Sequence, residues 1–326
     1  MTDLIADIGA TNARFALLPG RPGMGSGIPE SIRVFSVQAY HSLEDTMTAY
    51  LDAVGMSVDG LQRAAICIAG PVTGDQISMT NHPWAFSQRA MRDQFGLEQL
   101  IIVNDFTAIA LGLSRLKPSD RRQIGGEANP PVAPKVVLGP GTGLGVSGLL
   151  PIDEPDGRLR WHPLSGEGGH VTLPSENDRE AAIISAQRAK TGHVGGEDFL
   201  CGSGLVRLYE AIATVDDKPV PKDLIPAKVT DGFLTESDPI AIEAVELFCG
   251  WLGVLAGNCA LTLGATGGVY VAGGIVPRLG ERFDQSAFRD RFEAKNRFKE
   301  YLAPIPSYVI THDFPAFLGL MAALDR

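Results

Sequence analysis

Two glycine-bearing loops limit what this chain can fold into more than any other feature. DIGATNAR (residues 7–14) and GPGTGLG (139–145) each interrupt an apolar, strand-forming run and lead into another such run. A tight glycine turn between two apolar strands is the pattern of a hairpin, and here each hairpin is followed by further strands and helices. The repetition at residues 9 and 141 predicts two related α/β halves. Neither loop is a dinucleotide fingerprint. Leu144 occupies the third required glycine position, and the loop enters a strand where the fingerprint opens a helix. The sequence contains no Gly-Lys pair, so no Walker A loop is present. A glycine turn nevertheless lets backbone N–H groups converge on a phosphate, and the Thr142 hydroxyl adds one donor. For either loop alone an ordinary hairpin tip explains the composition equally well; two together point to a pair of clamps on a polyphosphate.

With 326 residues, 44% of them apolar, the chain is long enough for two domains with substantial cores. Its 28 Lys and Arg against 38 Asp and Glu give a net charge of −10. That balance argues against a nucleic-acid or anionic-membrane partner, since both need a basic footprint. A bound polyanion must then be neutralised by backbone N–H groups and a metal. Cys67, Cys201, Cys249 and Cys259 form no Cys-x-x-Cys pair, which fits reduced thiols in a cytoplasmic protein. The opening MTDLIADIGATNARF lacks a basic flank before a long apolar segment, so no signal peptide is expected. No apolar run is read as long enough to span a bilayer.

Along the first half, the Gly- and Pro-rich residues 19–30 read as an exposed turn and residues 42–55 as a helix. AAICIAGPV (64–72) is a buried strand, and residues 77–87 form a polar-aromatic strand and loop. A short helix over 87–96 is stopped by Gly96, and a strand passes into a helix after Asp105. Beyond Pro118 the chain turns polar, then resumes with a strand–turn–strand over 135–150. PIDEPDGRLRW reads as a charged loop leading to SGEGGHVTL (165–173), followed by a helix in SENDREAAIISAQRAKTG. At that helix's start, Glu176, Asp178, Arg179 and Glu180 read as solvated. A glycine turn opens a helix over 201–213, and residues 238–264 form a long apolar helix. Residues 265–280 give a strand, a Gly-Gly turn and a short helix, and the chain closes with a strand and a terminal helix.

In LIIVNDFTAIA (100–110) an aspartate stands at the mouth of an apolar strand, a costly place unless it has a partner or a task. Asp105 can cap the following helix or serve as a general base. Asn104 can close the turn or offer its amide to neighbouring hydroxyls. Glu167 and His170 lie three apart in GEGGH, so both can reach one ligand. Such a set suits several hydroxyls at once, whereas a metal centre needs more clustered His or Cys. His82 and Trp84 fit either a lid or, more plainly, a core tryptophan and a surface histidine.

Taken together, ADIGATNARFAL, CIAGPVTGDQISMTNHPWAFS, IVNDFTAIA, LGPGTGLGV, GEGGHVTL, GHVGGEDFLCGSGL, VAGGI and HDFPAFLGLMAAL resemble the bacterial glucokinase family, in family order over nearly the whole chain. The resemblance implies the two-domain α/β fold of the sugar kinase, Hsp70 and actin ATPase group (ribonuclease H-like) with an interdomain cleft. The small domain would hold residues 1–113 plus 306–326, and the large domain residues 114–305. Ala6, Asp7, Ile8, Gly9, Ala10 and Thr11 would form the first phosphate hairpin, with Asp7 near Mg²⁺ through water. Gly141, Thr142 and Gly143 would form the second, and Gly204, Gly273 and Gly274 would border the adenosine. Asn104, Glu167, His170 and Glu197 would bind the sugar, with Asp105 as catalytic base. Two positions depart from the pattern: Ala10 stands where a second glycine is usual, and Ser203 where proline is common.

The implied reaction is phosphorylation of D-glucose at its 6-hydroxyl by ATP with Mg²⁺, in the cytoplasm, by an enzyme whose relatives are often homodimers. The rivals are a kinase for another hexose, a sugar-responsive transcription regulator on the same fold, and an actin- or chaperone-like ATPase acting on proteins.

Overall fold

The computed structural model describes residues 2–20, 28–79 and 82–326. Most of the turn expected over 19–30, and Thr80 and Asn81 of the TNHPWAFS motif, lie outside the described residues. The chain divides into two compact units. The first comprises residues 1–117, 161–165 and 312–326; the second comprises residues 118–160 and 166–311.

In the first unit the strands are β1 (Thr2–Ile8), β2 (Asn12–Pro19), β3 (Glu30–Ser36), β4 (Leu61–Ile68), β5 (Gln76–Ser78), β6 (Ala85–Ser87) and β7 (Gln99–Asn104). The helices are α1 (Leu43–Val54), α2 (Gln88–Gln94) and α3 (Asp105–Gly112), joined by the C-terminal helix Pro315–Leu324. The sheet order is β3-β2-β1-β4-β7. β1 is antiparallel to β2 and parallel to β4, and β4 is parallel to β7. Both faces of β1 are buried, as parallel strands require. Leu4, Ala6 and Ile8 pack with Met47, Tyr50 and Trp84 on one face. Ile5 packs with Ala65, Cys67, Phe317 and Leu320 on the other. Trp84 is therefore a core residue, and its indole N–H donates to the Tyr40 carbonyl at 3.2 Å.

The C-terminal helix crosses α3 main chain against main chain. An added Cβ at Gly112 would lie 2.6 Å from the Pro315 carbonyl oxygen, and one at Gly319 would overlap the carbonyl oxygen of Ala108. We expect Gly319→Ala to cost about 1–3 kcal/mol or more by overpacking. An unchanged denaturation midpoint would refute the crossing.

The second unit adds strands β8 (Arg121–Gly125), β9 (Lys135–Pro140) and β10 (Leu144–Asp153), and the division between units falls within β11 (Leu159–Ser165). Its helices begin with α4 (Asp178–Thr191), α5 (Gly196–Phe199), α6 (Gly202–Val215), α7 (Pro226–Leu234) and α8 (Pro239–Leu263). After β12 (Val269–Val271) come α9 (Ile275–Leu279), α10 (Glu281–Asp284), α11 (Phe288–Glu293), α12 (Lys299–Leu302) and β13 (Ser307–Ile310). The strands run in the order β10-β9-β12-β13-β8. β9 is antiparallel to β10 and parallel to β12, and β12 is parallel to β13. That repeats the β2-β1-β4-β7 pattern of the first unit strand for strand, which is the structural content of the repeated glycine loop.

Several sequence expectations need correction. Residues 151–161 are not simply a loop. β10 extends to Asp153, and Gly157 N–H donates to the Glu154 carbonyl at 2.9 Å, turning the chain into β11. A strand with one solvated face is polar by half its residues and reads as loop. β8 likewise lies within the polar stretch after Pro118, and β13, placed with the small domain by the expected boundaries, pairs with β12 and β8 in the second unit. α8, at 25 residues, is long and apolar enough to cross a membrane, contrary to the expectation that no run would be. It is mostly buried in the second unit's core, around Trp251, Leu252 and Leu255, and packing accounts for its composition.

The start of α4 is only partly the solvated face expected: Glu176 and Asp178 are exposed, but Arg179 is half-buried and Glu180 is buried. Glu180 is 1% exposed, and its carboxylate accepts from Arg291 Nη1 at 2.8 Å and from Glu176 N–H at 2.9 Å. Arg179 forks onto Glu243 and Asp216, with Nε–Oε1 at 2.7 Å and Nη1–Oδ1 at 2.6 Å. The partners lie on α8, α11 and just beyond α6, distant in sequence, so local charge spacing gives no hint of them.

Candidate active site

In an open α/β sheet the loops beyond the carboxyl ends of parallel strands gather the chemistry. In the first unit those ends belong to β1, β4 and β7, where Ile8, Ile68 and Asn104 share one row of the register. Asp7, Cys67 and Val103 share the row before it. Asp105 follows directly as the first residue of α3.

Asn104, not Asp105, caps α3. Its Oδ1 accepts from the N–H of Phe106 at 2.9 Å and of Thr107 at 3.2 Å, and its Nδ2 donates to the Gly70 carbonyl at 3.1 Å. Asp105 Oδ1 also accepts from Phe106 N–H at 2.9 Å. The helix thus has its cap without Asp105. Burial pushes Asp105 up to about 6; the Phe106 N–H pulls the other way, and the Asp7 carboxylate adds to the rise. Buried carboxylates with raised values are poised as bases near neutral pH.

Asp7 is held from two sides. Arg14 Nη1 lies 3.1 Å from its Oδ2, directly across the hairpin register, and the Cys67 thiol donates to its Oδ1 at 3.5 Å. Burial, followed by the two carboxylates, drives the Cys67 thiol well up, which keeps it a neutral donor. Sequence reading missed both partners. Arg14 was legible, because a hairpin turning at residues 9–12 places 14 opposite 7; Cys67 depends on the register of a parallel neighbour and leaves no local signal.

The turn after β1 is closed by Gly9 N–H to the Asn12 carbonyl at 2.9 Å. Ala10 is not among the described non-glycine residues with positive φ, so the missing second glycine strains nothing. Thr11 is exposed at the turn. The side chains of Ala6 and Ile8 are fully buried in the core and can offer a ligand only main-chain atoms.

In the second unit, the carboxyl ends of β9 and β12 carry the other loops. Gly141 N–H donates to the Gly143 carbonyl at 2.8 Å, and Thr142 is exposed. An added Cβ at Gly141 would meet nothing within 4 Å, so the protein's own packing does not require this glycine. It leaves open the approach a phosphate would take. Gly273 adopts φ +87 beyond β12, and Gly274 follows at the start of α9; both are exposed. Gly204 is different, being buried where an added Cβ would lie 2.6 Å from the Phe199 carbonyl group, so packing of α6 on α5 already explains it. Ser203, in place of proline, accepts from Arg207 Nη1 at 3.0 Å.

Glu167 precedes and His170 ends a single 3-10 turn (Gly168–His170), both are exposed, and neither side chain has a hydrogen-bond partner among the described residues. Glu197 lies on α5. The three belong to the second unit, and Asn104 and Asp105 to the first. His82 is partly buried and packs edge-on against Trp84 at 4.7 Å, so it is neither a plain surface residue nor part of these loops.

A twice-used hairpin-and-parallel-strand unit with glycine loops at the strand ends defines a two-domain α/β fold of the actin-like ATPase class. A solved glucokinase from an Antarctic psychrotroph matches it with a TM-score of 0.85 at 32% identity, over 99% of this chain and 98% of that one. The glucokinase family model matches residues 4–326, and the chain belongs to the glucokinase family. A glucokinase from Neisseria meningitidis is 45% identical over 99% of this chain and 94% of its own length. The bifunctional protein glk of Paraburkholderia xenovorans is also 45% identical, but this chain spans only 48% of it.

Proposed function

We propose that the chain transfers the γ-phosphoryl group of ATP to the 6-hydroxyl of D-glucose, giving glucose 6-phosphate and ADP. The observation that carries this reading, within the family shown by the match over residues 4–326, is a half-buried carboxylate at a strand end whose capping duty a neighbour has taken. Asp105 accepts the 6-hydroxyl proton while the oxygen–phosphorus bond forms and the bridge to the β-phosphate breaks, releasing ADP. The transition state is loose, so positioning and charge stabilisation dominate. Asn104 retains one amide hydrogen for a sugar hydroxyl; Glu167, His170 and Glu197 supply the other sugar contacts. The N–H groups of Gly9 and Gly141 close their own turns, so Ala10 and Thr11 in the first turn and Thr142 and Gly143 in the second offer the phosphates their main-chain N–H groups.

Mg²⁺ is typically held by one or two carboxylates together with substrate phosphates and waters. Asp7, beside the first phosphate turn and close enough to Asp105 to raise it, fits that donor set through a water. The ion would supply charge neutralisation on the phosphates. Reduced thiols and the acidic balance support a cytoplasmic enzyme without nucleic-acid or membrane partners. A homodimer belongs to the same proposal and is tested by light scattering.

ADP release measured with ATP, with and without glucose, tests the reading; release independent of sugar, or a clear preference for another hexose, overturns it. Polyphosphate in place of ATP tests the donor. The pH profile carries a second expectation. The base must be ionised, so kcat/KM should fall about tenfold per pH unit below about 6 and level off above it. A flat profile between pH 5 and 7 would remove Asp105 from the role.

A further inference from the structure

The proposed second phosphate turn is tied down from outside by one side chain, the Glu197 carboxylate assigned above to the sugar. Gly202 N–H, at the start of α6, donates to the Gly141 carbonyl at 2.8 Å. Leu144 N–H, immediately after the turn, donates to Glu197 Oε2 at 2.7 Å. The carboxylate lies directly over Gly143, where an added Cβ would overlap Oε2. Glu197 Oε1 has no hydrogen-bond partner among the described residues.

Glu197 cannot drift independently of this turn. Gly196 N–H donates to the Val171 carbonyl at 2.9 Å, and Gly195 N–H to Asp198 Oδ2 at 2.7 Å. Arg207 Nη2 and the Cys201 thiol both donate to the Glu197 carbonyl, each at 3.2 Å. Gly169, in the segment bearing Glu167 and His170, has no room for a Cβ beside the Leu144 carbonyl. Three glycine-rich segments are therefore stacked main chain on main chain, with the Glu197 side chain bridging two of them.

We propose that Glu197 is a latch for the phosphate turn as well as a sugar ligand. One carboxylate oxygen fixes the Leu144 N–H, and with it the geometry of Gly141–Gly143; the other takes a sugar hydroxyl. This rests on the reading of the chain as a glucose kinase and deepens it. A hydroxyl on Oε1 restricts Glu197 to the rotamer the turn needs, so the hexose prepays part of the ordering that the nucleotide's phosphates demand. Coupling of this kind is reciprocal: glucose tightens nucleotide binding by the same factor as nucleotide tightens glucose binding.

The test is titration calorimetry of Mg-ADP into the full chain, without sugar and with saturating glucose. It is paired with hydrogen exchange at the Leu144 amide. In the wild type, glucose should tighten ADP binding by roughly 5–150-fold, the usual range of such coupling, and should slow Leu144 exchange. Glu197→Ala should weaken ADP binding about tenfold or more with no sugar present, since a hydrogen bond to a charged group is lost. It should also speed Leu144 exchange and abolish the glucose effect. Glu197→Gln keeps an acceptor of the same shape and should restore part of the sugar-free ADP affinity and of the Leu144 protection. If Glu197→Ala and Glu197→Gln both bind ADP without sugar as tightly as the wild type, or leave Leu144 exchange unchanged, the latch is wrong. If instead the wild type makes no ADP with glucose, the kinase reading fails, and the sugar-free comparison still decides the latch.

Discussion

Replacing Asp105 by asparagine should lower kcat by roughly 10²–10⁴-fold, the usual worth of a general base, while glucose still binds. The amide has the same shape and retains an acceptor for the Phe106 N–H, and the α3 cap on Asn104 is untouched. The variant should also be more stable than the wild type at neutral pH. Asp105 is raised from 3.8 to about 6 on folding, so the folded state holds its proton more tightly than the unfolded state. Between those values stability declines as pH rises, and above about 6 the ionised carboxylate destabilises the fold by roughly 3 kcal/mol. Below about 3.8 both states are protonated and the difference vanishes. Urea midpoints of the two proteins should therefore separate above pH 6 and converge near pH 4. Near-normal turnover in the asparagine variant would remove Asp105 from the chemistry; equal midpoints at neutral pH would show that its burial carries no such cost.

Arg291→Met should destabilise the second unit by about 3–5 kcal/mol, as expected when one partner of a buried ion pair is removed. The guanidinium places Nη1 and Nη2 at 2.8 and 3.3 Å from the Glu180 oxygens, and its Nε lies 2.8 Å from Glu176 Oε2. Glu180 is 1% exposed and cannot turn to water for replacement partners. Total stabilities are about 5–15 kcal/mol, so this is a large share. Adding Glu180→Gln to Arg291→Met should recover part of the loss, because the uncompensated charge is gone. A single variant that melts with the wild type would mean the pair is screened by water.

Much of the site was legible because its parts are local. The two hairpins, the strand running into Asp105 and the GEGGH and GGEDF segments each announce themselves within a few residues through glycine placement and apolar runs. What escaped was set by register and by distance. Cys67 meets Asp7 only because β4 lies parallel to β1 in one particular alignment. Asn104 and Asp105 are both favoured capping residues, and only the hydrogen bonds assign the cap. The charges opening α4 looked solvated because Arg291 lies 111 residues away. The polar strands β8 and β11 were hidden by sequence that alternates or mixes as a loop does. The family pattern marks Glu197 for the sugar, but its hold on Leu144 depends on how α5 packs over the turn and leaves no local signal.

The crossing of α3 and the C-terminal helix has a consequence for how the chain can vary. Where side chains interlock, a substitution can be absorbed by changing rotamers, and its effect spreads through the core as small adjustments. At Gly112 and Gly319 the helices meet through carbonyl oxygens and Cα atoms, which have no rotamers to change. The seating of α3, and with it the first residue of that helix, is set by covalent geometry at one point. Ile5, Ala65 and Leu320 nearby pack through side chains that can adjust, whereas the backbone contact at Gly112 and Gly319 has no room for any side chain.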